Sequence, residues 1–85
     1  MSKEPKSTKI VYRKLGRENA WGIAHIGKNK IELDPTLKTK KHLEILLHEK
    51  LHLLNPEWSE TKVIRQSKSL AKLLWENHYR WVELK

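Results

Sequence analysis

A chain of 85 residues has room for one domain with a modest core, and such small folds often recruit a staple. With no cysteine, disulfides and Cys-based zinc sites are excluded, so any metal must be held by His, Asp or Glu; five histidines are available. The formal net charge of +8 admits a nucleic-acid partner, because basic faces gain affinity by releasing counterions from phosphate, and equally admits a solvated surface.

The cations run from Lys3 to Lys85, and their tightest cluster, Lys38-Thr39-Lys40-Lys41, is short. Residues 1–8 are Lys, Ser, Glu, Thr and Pro around one Met, and read as a frayed tail ahead of a single domain over residues 9–85. They lack the apolar stretch of a signal peptide, and no run is long enough to span a membrane, so a soluble, cytoplasmic protein is expected. Residues 9–15 (Lys-Ile-Val-Tyr-Arg-Lys-Leu) are β-branched and aromatic enough for a strand. Residues 16–19 read as a turn or loop, and residues 21–26 (Trp-Gly-Ile-Ala-His-Ile) as a second strand. Gly27-Lys28-Asn29 is a turn signal before a short third strand over residues 30–33, which Asp34-Pro35 closes.

The period then changes. Over residues 39–54 the apolar positions 43, 46, 47, 51 and 54 form a 3.6-residue stripe, which predicts an amphipathic helix with Thr39 as its N-cap. Lys50 interrupts that stripe and suggests a core edge, its stem packed and its ammonium in water. Asn55-Pro56 stops the helix, since a residue before Pro is pushed out of the α region. Ser59 is a suitable N-cap for a second helix to about His78, with Glu60 in its first turn and a stripe of Val63, Leu70 and Leu74 flanked by Ile64, Ala71 and Trp75. Residues 79–85 extend it or pack back through Trp81 and Val82. The fold class is therefore α+β, a small antiparallel sheet of about three strands followed by two packed helices, with Trp21, Trp58, Trp75 and Trp81 supplying much of the core.

The residues that carry chemistry are His48-Glu49-Lys50-Leu51-His52. Positions i and i+4 of a helix share one face, so two imidazoles can point at one atom about 2 Å from each ring nitrogen, which is zinc geometry. Glu49 lies about 100° round the helix from His48, which suits a general base acting on a zinc-activated water better than a third ligand. His48 and His52 fall off the core stripe and, with Ile45, make a second face. A catalytic zinc takes three protein ligands and one water. Glu60 is the first candidate for the third, if a tight Asn55-Pro56 turn folds the second helix over the first, although an acid there is also the ordinary choice of the helix dipole. Glu57 in the turn is second, and His25, His42 and His78 follow.

The segments Ile-Glu-Leu-Asp-Pro-Thr-Leu-Lys, Leu-Glu-Ile-Leu-Leu-His-Glu-Lys-Leu-His-Leu-Leu, Pro-Glu-Trp-Ser-Glu and Leu-Leu-Trp-Glu-Asn-His-Tyr-Arg resemble small metallopeptidases of bacteria and their phages. These are similar to the zincin superfamily, with SprT-like and ImmA/IrrE-like domains as nearest named relatives. The resemblance covers residues 21–80, and the His-Glu-x-x-His core is its most specific part. It implies a minimal zincin with His48 and His52 as zinc ligands, Glu49 as base, and a third ligand from the following helix. In the ImmA/IrrE-like branch that ligand is acidic, as Glu60 is. The SprT-like pattern uses a later His, and none follows His52 before His78. The resemblance also implies a peptide or protein substrate laid along an edge strand, for which residues 21–26 are the candidate. Tyr79, Arg80 and His78 are candidates to stabilise an oxyanion. Two other functions fit the residues: a non-catalytic zinc domain that binds a protein partner, and a basic nucleic-acid binder in which the motif is incidental.

Overall fold

A computed structural model describes residues 7–82. Three strands, β1 (Lys9–Tyr12), β2 (Gly22–His25) and β3 (Lys30–Leu33), precede two helices, α1 (Thr39–Leu54) and α2 (Glu60–Glu76). The α+β class and the order of strands and then packed helices are as expected. The sheet is mixed, however, not antiparallel. Its order is β1-β3-β2, with β1 parallel to β3 and β2 antiparallel to it. The reason lies in burial. Ile31, Glu32 and Leu33 are all buried, so β3 takes the centre and the more exposed, lysine-bearing β1 takes an edge. A tight turn with Gly27 at φ +92 and Asn29 at φ +48 joins β2 to β3 as a hairpin. The stretch from β1 to β2 crosses over instead, through one 3-10 turn at Gly16–Glu18, and is pinned by Leu15. Leu15 is fully buried, and its N–H donates to Asp34 Oδ2 at 3.0 Å.

Side chains alternate across a strand, so β3 sends Ile31 and Leu33 to one face and Glu32 to the other. Ile31, Leu33 and Leu37 form the core, against which Ile45, Leu46 and Leu53 of α1 pack. Helix α1 is sandwiched between this sheet face and α2. A helix covered on two sides needs apolar residues on two sides, which is why Ile45 packs on the sheet while Leu54, in the predicted stripe, is 61% exposed. The seam of α2 is Val63, Ser67 and Ala71, at i, i+4 and i+8. Leu70 and Ile64 flank this seam and stay exposed, so the seam is narrower than the stripe read from the sequence. Ser67 is tolerated there because its hydroxyl donates to Ile64 O at 3.0 Å.

The tryptophans do not build the core. Trp21 is 52% and Trp81 57% exposed, and Trp58 and Trp75 are half-buried. Rings this large need more interior than a domain of this size encloses. Trp81 does fold back, stacking on His42 at 4.8 Å between ring centroids, while Val82 stays exposed. Thr39 does not cap α1. Its backbone has φ +55, and its hydroxyl donates to Lys38 O rather than accepting a helix N–H. Of the tail expected over residues 1–8, residues 1–6 lie outside the described residues, as do residues 83–85 of the expected domain. Thr8 is held, accepting from Lys50 Nζ at 2.6 Å and donating to Asn29. No described helix is long and apolar enough to cross a membrane.

Candidate metal centre

The turn after α1 does what its residues dictate. Asn55 closes the helix by donating its N–H to Leu51 O at 2.8 Å, and Trp58 N–H donates to Asn55 O at 3.0 Å. Ser59 then caps α2, its Oγ accepting from Lys62 N–H at 3.2 Å. The reversal lays the first turn of α2 beside the last turns of α1. Glu60 reaches across, with Oε1 2.7 Å from His48 Nε2 and Oε2 3.0 Å from His52 Nε2. The two Nε2 atoms are 3.2 Å apart. Glu49 completes the group, with ligand-capable atoms of His48, Glu49 and His52 all within 4.8 Å of one another.

Not every pair of tautomers satisfies this arrangement. If both imidazoles carry their proton on Nε2, each donates to Glu60, but their 3.2 Å approach then sets two N–H groups against each other. A cation at the centre is met by lone pairs from all three groups. Tetrahedral zinc with ligands at about 2.0–2.1 Å separates its ligand atoms by roughly 3.3 Å; the 3.2 Å between the two Nε2 atoms is near that, while the 2.7 and 3.0 Å to the two Glu60 oxygens are hydrogen-bond lengths. The donor set fits zinc: two imidazoles and one carboxylate, with no Lys or Arg paired to Glu49 or Glu60 among the described residues. Glu60 is 62% exposed, so the group opens to solvent on that side.

Glu49 is only 8% exposed. Burial pushes its carboxyl above the usual carboxylate range, opposed by the charges of His48 and His52 and by the Ala24 backbone N–H. A residue that was not singled out in the sequence explains how Glu49 sits so close to the sheet. A Cβ on Gly22 would lie 2.9 Å from Glu49 Cγ and 2.9 Å from Ile45 Cγ2. The available signal was a glycine inside a strand pattern, which often marks close approach of another chain segment.

The edge itself follows from the ladder. Asp34 N–H donates to Trp21 O at 2.9 Å, so the Trp21–Asp34 pair is a hydrogen-bonded one. Antiparallel pairs alternate, which places the N–H and C=O groups of Gly22 and Ala24 on the side of β2 away from β3. That outer side of β2 borders Glu49, which holds the Ala24 N–H.

Other sequence candidates are placed elsewhere. His42 is buried, with Nε2 2.8 Å from Tyr12 Oη, and its ring packs with those of Tyr12 and Trp81, which also stack on each other at 5.9 Å between centroids. Burial lowers its pKa. His25 Nε2 lies 2.8 Å from Glu32 Oε1, and Glu57 is exposed in the turn. Tyr79, Arg80 and His78 follow the C-terminal end of α2, about 24 Å along the helix from Glu60, too far to serve this centre. Arg80 is engaged with Trp75, its guanidinium 3.5 Å from the ring centroid.

No protein-family model, curated protein or solved structure matches this chain.

Proposed function

We propose that this chain is a zinc-dependent metallopeptidase of the His-Glu-x-x-His type, with His48, His52 and Glu60 as ligands and Glu49 as general base. The observation that carries this reading is the approach of the Glu60 carboxylate to both imidazoles, with the buried carboxylate of Glu49 within 4.8 Å of the same two rings and against strand β2. The bound zinc would supply Lewis-acid polarisation of water and of the scissile carbonyl. Glu49 takes the proton from the attacking water and passes it to the amine that leaves when the C–N bond breaks. An extended peptide would lie along the outer side of β2, where the Ala24 N–H is held by Glu49, and present its carbonyl beside that carboxylate. The zincin resemblance of residues 21–80 is consistent with these roles. The non-catalytic zinc reading calls for four protein ligands; among the described residues only Glu49 is near enough to be the fourth.

The test is Glu49→Gln in the zinc-loaded protein, assayed on fluorescein-labelled casein and on a quenched-peptide library. The variant should keep its zinc and lose hydrolysis by about 100-fold or more. Equal hydrolysis by variant and wild type would remove Glu49 from the chemistry, and a zinc-loaded wild type with no hydrolysis of either probe would favour the non-catalytic reading.

A further inference from the structure

The outer face of α2 carries a feature unrelated to the metal centre. Lys62, Arg65, Lys68 and Lys72 are all exposed and, at 100° per residue, fall within about 120° of the helix circumference. The seam of Val63, Ser67 and Ala71 faces the other way. No acidic residue occurs between Glu60 and Glu76, and none of the four cations is ion-paired among the described residues. Among the described residues Arg13 is the one Lys or Arg with an ion pair, to Glu18 and Glu32, so the stripe is set apart by its alignment on one helix face. An unpaired stripe of like charge repels itself, and an external polyanion relieves that repulsion.

We propose that this face of α2 binds the phosphate backbone of a nucleic-acid duplex without reading its sequence. The spacing matches. Lys62 to Lys72 spans about 15 Å of helix axis, over which one strand of a duplex presents about four charges at 3.4 Å each. A membrane surface is the weaker partner for this face, because Val63, Ser67 and Ala71 are buried and the exposed apolar residues Ile64, Leu70 and Leu73 fall on opposite flanks of that seam and form no single arc to enter a bilayer. Glu60 lies about 140° round α2 from the middle of the stripe, so a bound duplex leaves the metal centre open.

The test is fluorescence anisotropy of a labelled mixed-sequence DNA duplex titrated with the full chain over a series of salt concentrations. Arg65→Ser/Lys68→Ser removes two charges from the stripe, and Lys9→Ser/Lys28→Ser removes two exposed charges from the strand region. Lys62 is kept because its ammonium is held 4.5 Å over the Trp58 ring. Four contacts give a slope of log affinity on log salt of about −3.6, so affinity falls roughly 100-fold between 50 and 200 mM salt. The α2 variant should halve that slope and the control should keep it, with the two circular-dichroism spectra unchanged. A charge-keeping Arg65→Lys/Lys68→Arg variant should bind as wild type. Equal losses in the stripe and control variants, or no duplex binding at the lowest salt, would overturn the proposal. So would tighter binding to phosphatidylserine-containing vesicles than to duplex, which would reassign the stripe to a membrane surface.

Discussion

His25, Glu32 and Arg13 on the open face of the sheet and His48, His52 and Glu60 between the helices are built from the same contact, an imidazole Nε2 within 3.0 Å of a glutamate oxygen. They differ in what balances the carboxylate. Glu32 accepts from Arg13 Nε at 2.8 Å, from Arg13 Nη2 at 3.1 Å and from His25 Nε2 at 2.8 Å. The guanidinium is permanently charged, and it and His25 hold the Glu32 carboxyl down to about 2. That network is complete as it stands. The helical group has two carboxylates, two imidazoles and no fixed cation. Residue types alone do not separate a metal centre from an ion-pair network; the identity of the counter-charge does.

The sharpest way to break this comparison is metal content. About one zinc per chain is expected after dialysis against zinc and then buffer, by elemental analysis. His48→Ala or His52→Ala should abolish it, and Glu60→Ala should weaken binding by at least tenfold, while His25→Ala should have no effect. Zinc at about 100 times its dissociation constant should stabilise the fold by roughly 2.7 kcal/mol, or about 10–20 °C in melting temperature for a domain of this size. A zinc loss in His25→Ala equal to that in His48→Ala would erase the distinction.

Gly22→Ala probes the wall between the two regions. The added methyl meets Glu49 and Ile45 at 2.9 Å, and overpacking of this kind costs about 1–3 kcal/mol. Denaturant unfolding should show that loss. Hydrolysis should fall further than zinc content, because the group displaced is Glu49 and not a ligand.

The parts of the site that were legible in the sequence are those linked by local geometry. One helical turn separates His48 from His52, the Asn55-Pro56 stop and the Ser59 cap lie within five residues of each other, and Glu60 follows directly. The sheet network joins residues 13, 25 and 32 on three different segments with no fixed spacing, so no motif announces it. The parallel pairing of β1 with β3 is non-local in the same way, and so is the contact of Gly22 with Glu49. The error over the tryptophans was different in kind. Ring size argues for burial, but a core made of Ile31, Leu33 and Leu37 leaves no room for four indoles.

Acid sharpens the comparison from the other side. Glu32 titrates near 2 when folded against an ordinary 4.5, so its contribution to stability is complete above about 4.5 and is lost as pH falls toward 2. Arg13→Gln removes the largest cause of that depression. In metal-free protein, urea midpoints followed through this window should change less steeply in the variant than in wild type. Zinc affinity at neutral pH should be the same in both.

The smallest expected effect tests whether the metal centre depends on helix-end physics that the sheet network does not share. Ser59 Oγ accepts the Lys62 N–H and holds the first turn of α2, the turn that carries Glu60. Ser59→Ala removes that acceptor at a cost of about 1 kcal/mol, whereas Ser59→Asp keeps one and Ser59→Gly costs a few tenths. If the first turn frays, Glu60 must be reordered each time zinc binds, so up to the full 1 kcal/mol reappears as affinity, about fivefold at 25 °C. Isothermal titration with zinc should therefore rank the variants in the order of their capping strength. A rank order unrelated to capping would mean that Glu60 is positioned by the packing of α2 on α1, through Val63, Ser67 and Ala71, and not by the cap.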